Sequence, residues 1–213
     1  MSSLKLKHSG GNSVSLNPPT SAPSSSEIAF KLPNADGSAN QLLKTDGSGN
    51  LGWATDQAGK ILQVIQTVKT DSATNSTDSN TLWDYTAFNA AITTTGSNKV
   101  LVLVKLNAAI ESGQNIFIIL RKGGSDVTGS VGSSVSSRTA ATSGLRSTGN
   151  SEAEEASIVF LDSPGAGTHT YNLGFKHSSG SSKTIRINRS HNDNDSYDYP
   201  RTISTFTLME VSA

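Results

Sequence analysis

The chain has 213 residues, of which 34% are hydrophobic and 16% charged, and its seventeen basic side chains are balanced by seventeen acidic ones. That balance excludes a global field recruiting nucleic acid or an anionic membrane. The absence of cysteine excludes a disulfide scaffold and thiolate-ligated zinc or iron–sulfur sites.

The opening MSSLKLKHSGGNSV lacks an apolar signal core, and no stretch approaches 18 consecutive apolar residues. The expectation is a soluble chain with no export address and no membrane insertion. Residues 1–60 form one compositional unit. Leu4 and Leu6, Val14 and Leu16, then Ile28, Phe30 and Leu32 alternate with polar neighbours, the period-2 sign of three short half-buried strands. The connector LNPPTSAPSSS (16–26) reads as extended and solvated. Strands this short cannot bury a core alone, so the strip is expected to gain one from a partner surface or from other copies.

From residue 61 the texture becomes that of a domain. Apolar alternation predicts strands over 60–70, 99–110, 115–122, 156–162, 169–177, 183–189 and 202–211. The run KVLVLVKLNAAI (99–110) is apolar on both faces, which predicts a central strand covered on both sides. LWDYTAFNAAI (82–92) is ambiguous between strand and one helical turn. Residues 129–155 are the least apolar long piece, a connection expected to be exposed or functional. Strands at this spacing, without helical periodicity, predict an all-β sandwich.

Tests for chemistry return little. Asp193, Asp195 and Asp198 approximate a calcium loop, but no glutamate closes it, and a solvated inter-strand loop is the simpler reading. His169 and His177, eight apart on one strand, would stand roughly 26 Å from each other and cannot share a metal. His191 beside Asp193 has no visible means of excluding water. Glu152, Glu154 and Glu155 read as a solvated charge run. No nucleophile elbow or phosphate loop occurs. The expectation is a protein that is not an enzyme, with no catalytic residue, metal or cofactor. Tyr197 and Tyr199 alternate and either offer a sugar-stacking edge or cap the sandwich core.

The segment NADGSANQLLKTDGSGNLGWA (34–54) carries Asp-Gly-Ser-x-Asn twice, at Asp36–Asn40 and Asp46–Asn50. Asp-Gly is the preferred two-residue hairpin loop, so the doubling predicts a small repeated β module. Here the sequence resembles a known group. "LKLKHSGGNSVSLNPP" and "FKLPNADGSANQLLKTDGSGNLGW" resemble the N-terminal module of marine bacteriophage (cyanophage-like) virion structural proteins of the tail-fibre-like and capsid-decoration type. "GKILQVIQTVKTD", "SNKVLVLVKLNAAI", "IVFLDSPGAGTHTY" and "STFTLMEV" resemble the β domain that follows it. The resemblance implies a homotrimer with a jelly-roll-like head, located on the virion surface and assembled in the host cytoplasm.

Two domains are therefore expected. Residues 1–60 form a β-hairpin attachment and trimerisation module whose strip is Leu4, Leu6, Val14, Leu16, Ile28, Phe30 and Leu32. Residues 61–213 form a jelly-roll-like β-sandwich head. The expected partners are phage capsid or tail proteins and a host cell-surface glycan, met through Arg138, Arg146, Tyr197 and Tyr199. A non-viral carbohydrate-binding β-sandwich is the alternative.

Overall fold

A computed structural model describes residues 4–17, 19–24, 27–55 and 61–213; Pro18, Ser25 and Ser26 of the expected extended connector and the junction at 56–60 lie outside the described residues. The chain divides into two compact units, 1–58 and 59–213, and all regular structure among the described residues is β.

The first unit holds two hairpins. Strands β1 (Leu4–Lys7) and β2 (Ser13–Leu16) pair antiparallel with Leu4 opposite Leu16 and Leu6 opposite Val14, which puts all four apolar side chains on one face. Strands β3 (Gln41–Thr45) and β4 (Leu51–Thr55) pair likewise. The expected third strand at Ile28–Leu32 does not form; that segment is extended and holds one bridge, Lys31 to Asn50. Its partner backbone is the end of the 46–50 loop and the first residue of β4: Lys31 N donates to Gly49 O, and Leu51 N to Lys31 O, both at 2.8 Å.

The two Asp-Gly-Ser copies are not equivalent, and neither makes the expected two-residue turn. Asp46–Asn50 is a five-residue hairpin loop closed by its own aspartate. Asp46 Oδ1 accepts from Ser48 N at 2.7 Å and Asn50 N at 3.1 Å, while Oδ2 accepts from Asn50 Nδ2 at 2.6 Å. These bonds hold the Asp46 carboxyl below its ordinary pKa. The first copy instead seats the tryptophan that follows the second. Trp53 Nε1 donates to Ala35 O at 2.8 Å, and a β-carbon on Gly37 would stand 2.5 Å from the indole. The doubled motif builds one loop and one platform.

The second unit is a sandwich of two antiparallel sheets. It comprises β5 (Ile61–Lys69), β6 (Ala73–Thr77), β7 (Trp83–Thr94), β8 (Lys99–Ala109), β9 (Asn115–Lys122), β10 (Ser125–Asp126), β11 (Ser143–Arg146), β12 (Glu154–Asp162), β13 (Gly167–His177), β14 (Lys183–Ile187) and β15 (Ser204–Val211). In one sheet β5 pairs β15, β15 pairs β8 along Lys99–Lys105, and β12 pairs the other edge of β8; the β14–β6 ladder joins at Ala108–Ala109. In the other, β7 pairs β13, β13 pairs β9, and β10 and β11 share the far edge of β9. The orders 5-15-8-12 and 7-13-9-11, with the chain crossing between the layers, are jelly-roll connectivity.

The core lies between the layers. Val100, Val102, Val104 and Leu106 of β8 point into it, and Phe88 of β7 meets Phe206 of β15 edge to face at 5.7 Å. β8 is central as expected, but it is covered on one face only: Leu101 and Leu103 look outward, half-exposed. The segment 82–92, ambiguous in sequence between strand and one helical turn, belongs to strand β7 from Trp83 onward. Its inward residues are Tyr85, Phe88, Ala90 and Ile92, and the three-residue step from 85 to 88 mimics a helical period. The cause is a bulge: the register slips between Asn172 and Leu173, leaving residues 86–88 without ladder partners.

Candidate interaction surfaces

In the first unit the strip residues are all exposed within a single chain. Leu4, Leu6, Val14, Leu16, Ile28, Phe30 and Leu32 range from 54% to 76% exposed. Four of them form the continuous hairpin face described above, with Lys5, Lys7, Ser13 and Ser15 on the other side. An isolated two-stranded hairpin is marginal in water, and this one presents its apolar face to solvent. The arrangement suits a surface that is covered on assembly.

In the second unit, three loops gather at the end of the sandwich where β8 finishes and β9 begins. Gly113 N donates to Ser147 O at 2.7 Å, Ser112 N to Asn150 Oδ1 at 2.8 Å, and Asn192 N to Asn150 O at 2.8 Å. The segments 110–114, 147–153 and 188–203 are thereby tied together. Arg146, opposite Asn115 on β11, and Tyr197 and Tyr199 in the 188–203 loop belong to this end. Tyr197 is 103% exposed, so it does not cap the core; Tyr199 is half-buried and its hydroxyl accepts from Asn194 Nδ2 at 3.1 Å.

Several charges at this end are paired. Glu111 meets Lys183, and Asp193 is held by both Arg189 and Arg201. The Arg201 hydrogen bond is the main cause holding the Asp193 carboxyl below its usual range. An aspartate neutralised by two guanidinium groups is a poor calcium ligand. Among the described residues no group of three or more His, Asp or Glu side chains could hold a metal. His191 Nδ1 lies 2.8 Å from Arg186 Nη1, and burial, then the Arg186 charge, lowers its pKa. Because a guanidinium can only donate, His191 Nδ1 is the acceptor in this contact. Glu152 and Glu154 both lie within hydrogen-bond reach of the Thr148 hydroxyl, and Glu155 pairs with Lys105 at 2.9 Å. His177, fully buried, hydrogen-bonds Thr77 O through Nε2 at 2.7 Å, while His169 lies 3.1 Å from Gly165 O.

Arg138 sits elsewhere. Its loop, 127–142, runs along the β9 edge, with Val127 N donating to Leu120 O and Thr142 N to Ile118 O. With Ser134, Thr139, Ile119 and Lys176 it lines a cavity of about 300 Å³ over the outer face of the second sheet. The expected contact set thus divides into an end cluster (Arg146, Tyr197, Tyr199) and a lateral one (Arg138).

Sequence reasoning missed the residue that roots the end cluster. Asn188 is 1% exposed with φ of 59°, and its side chain donates to Lys69 O and Asp71 O at 2.8 and 3.0 Å and accepts from Ser204 Oγ at 2.6 Å. An asparagine closing an apolar alternation, directly after Ile187, was the available signal, since asparagine tolerates the left-handed region.

No family model matches the chain, and no curated protein matches it. Among solved structures, "Structure of infectious bursal disease virus Gx strain" is similar with a TM-score of 0.36 and 12% identity, over 99% of this chain and 47% of that one. The chain spans about half the length of the chain it matches there. The jelly-roll assignment follows from this chain's own strand order.

Proposed function

We propose that this chain is a bacteriophage virion surface protein, fixed to the particle by residues 1–58 and presenting the jelly-roll sandwich as its head. The observation that carries this reading is the exposed apolar face of the β1–β2 hairpin, in a unit separate from a sandwich with its own complete core. The strip is too small to fold around itself and too apolar to remain wet, which is the character of a joint. The sequence resemblance to tail-fibre-like and capsid-decoration proteins supplies the viral context and the number of copies, three. In this reading the protein performs no catalysis. It acts as head decoration if the strip lies on capsid subunits, and as a tail fibre meeting a host glycan if the end cluster faces outward from the tail.

Cryo-electron microscopy of the particles that carry the chain separates these roles. Copies repeated over the head lattice establish decoration, copies confined to the tail establish a fibre, and particles without the chain overturn the proposal. Leu6→Asp together with Val14→Asp places two carboxylates on the apolar hairpin face. These substitutions are expected to abolish incorporation into particles while leaving the sandwich folded; normal incorporation would place the attachment elsewhere.

A further inference from the structure

The two layers of the sandwich differ on their outer faces. The second sheet is polar there: Asp84 accepts from Asn172 Nδ2 at 2.6 Å and lies 2.9 Å from Arg121 Nε, and Arg121 also pairs with Asp126. The 127–142 loop lies over part of it. The first sheet is the reverse. The ladder registers put Val64, Met209, Leu101 and Leu161 in one row across all four strands, with Leu103 and Val159 beside it. Val64, Val159 and Leu161 are 53%, 72% and 48% exposed. On the inner side of the same strands, Ile65, Leu208, Val102 and Phe160 belong to the core, so this is a second apolar face on an already saturated sheet.

We infer that this outer face is a self-association surface, packed in solution against a second copy of the chain. Three observations select that occupant. First, with Leu62 and Val68 of β5 flanking it at 51% and 46% exposed, the patch exposes on the order of 600 Å² of mostly apolar area, at the upper end for a monomer and close to the roughly 800 Å² each partner contributes to a standard interface. Second, the residues that make the patch are aliphatic, with no aromatic ring for stacking a sugar. Third, Lys105 on one flank of the patch is compensated by Glu155 at 2.9 Å, and the whole chain has a formal net charge of zero. Copies can therefore gather this face around a shared axis, each packing against the next, without net repulsion. The ladder already orders the backbone, so the ordering cost of packing two such faces falls on side-chain rotamers alone. The assignment rests on the self-association in the proposed function but not on attachment to a particle.

The absence of cysteine makes a direct test possible in the full chain. Single variants Val159→Cys, Met209→Cys and, as control on the polar outer face, Ala91→Cys are labelled with a maleimide under native conditions and oxidised in parallel. Val159→Cys and Met209→Cys should react about tenfold more slowly than Ala91→Cys, because an interface thiol is reached only in the dissociated fraction. Mixing the first two and oxidising should yield disulfide-linked pairs of chains. Adding Val159→Lys to Met209→Cys should restore labelling to the control rate, with circular dichroism confirming the fold. Labelling of Val159→Cys as fast as Ala91→Cys, without linked pairs, overturns the inference. If the chain is then still multimeric by sedimentation, the N-terminal strip alone carries association and the proposed function stands. If the face is protected while Leu6→Asp/Val14→Asp still enters particles, the face stands and the attachment reading fails.

Discussion

Asn188→Ala should lower the stability of the sandwich by about 3–5 kcal/mol, the range reached when a whole buried polar network breaks rather than a single hydrogen bond. The side chain satisfies two carbonyls, Lys69 O and Asp71 O, and accepts from Ser204 Oγ, which in turn accepts from Asn107 N at 3.0 Å. Each net hydrogen bond contributes only about 1 kcal/mol, but groups left buried without a partner cost more. Alanine also tolerates φ of 59° poorly, at roughly 1–2 kcal/mol. The consequence is local as well as global, since Asn188 N donates to Asn107 O and Thr202 N to Asn188 O, at the two feet of the loop bearing Tyr197 and Tyr199. Chemical denaturation checks the magnitude. Tyr197→Ala, at a fully exposed position, should change stability by less than about 0.5 kcal/mol. Similar effects from the two variants would refute the anchoring role.

Asp162→Ala should cost about 2–4 kcal/mol by the same measurement. Its carboxylate joins β12 to β13 and β9: Tyr171 Oη donates to Oδ2 at 2.6 Å, Lys122 Nζ lies 2.6 Å from the same atom, and Ser163 N donates to Oδ1 at 2.9 Å. Tyr171 is fully buried, so removing the acceptor strands its hydroxyl, whereas Lys122 keeps partial access to water and limits the loss. The pH dependence has two limbs. Burial raises the Asp162 pKa, but the Lys122 and Tyr171 hydrogen bonds outweigh it and the net shift is downward. A lowered carboxylate pKa contributes stability above the unfolded value of 3.8, and this is lost as pH falls through the lower folded value. Burial, then the Asp162 bond, raises the Tyr171 pKa well above 10.0, so that contribution is present below pH 10.0 and is lost as pH rises beyond it. Tyr171→Phe should remove the alkaline limb and retain most of the acid one. An unchanged alkaline limb in that variant would show that Tyr171 is not its source.

β5 and β12 were legible because their burial alternates cleanly, and β8, β9, β13, β14 and β15 because short apolar runs bounded by turn signals announce strands even where both faces are covered. Where the period breaks, legibility ends. The bulge in β7 inserts a step of three into the apolar pattern, and period alone cannot distinguish that from a helical turn. Strands β6 (ATNST) and β11 (SGLR) have too few apolar residues to announce themselves; they form because β14 and β9 offer open edges. Ile28–Leu32 alternates like a strand but meets only the end of the 46–50 loop and the start of β4, leaving a single bridge. Leu101 and Leu103 suggest a β8 covered on both faces, yet those side chains look outward within one chain. Of the candidate contact residues, Arg146, Tyr197 and Tyr199 share one end, whereas Arg138 lies laterally because its loop folds back along β9. Asn188 escaped notice because polar side chains inside strand runs show their role only through partners distant in sequence.

A single copy leaves apolar surface in water on the hairpin strip and on the outer sheet face, and further copies of the chain are expected to cover it. Sedimentation equilibrium of the full chain at micromolar concentration tests this most directly. It should give three times the 22.2 kDa mass of a single chain. A fully folded species of 22.2 kDa at every concentration would contradict it.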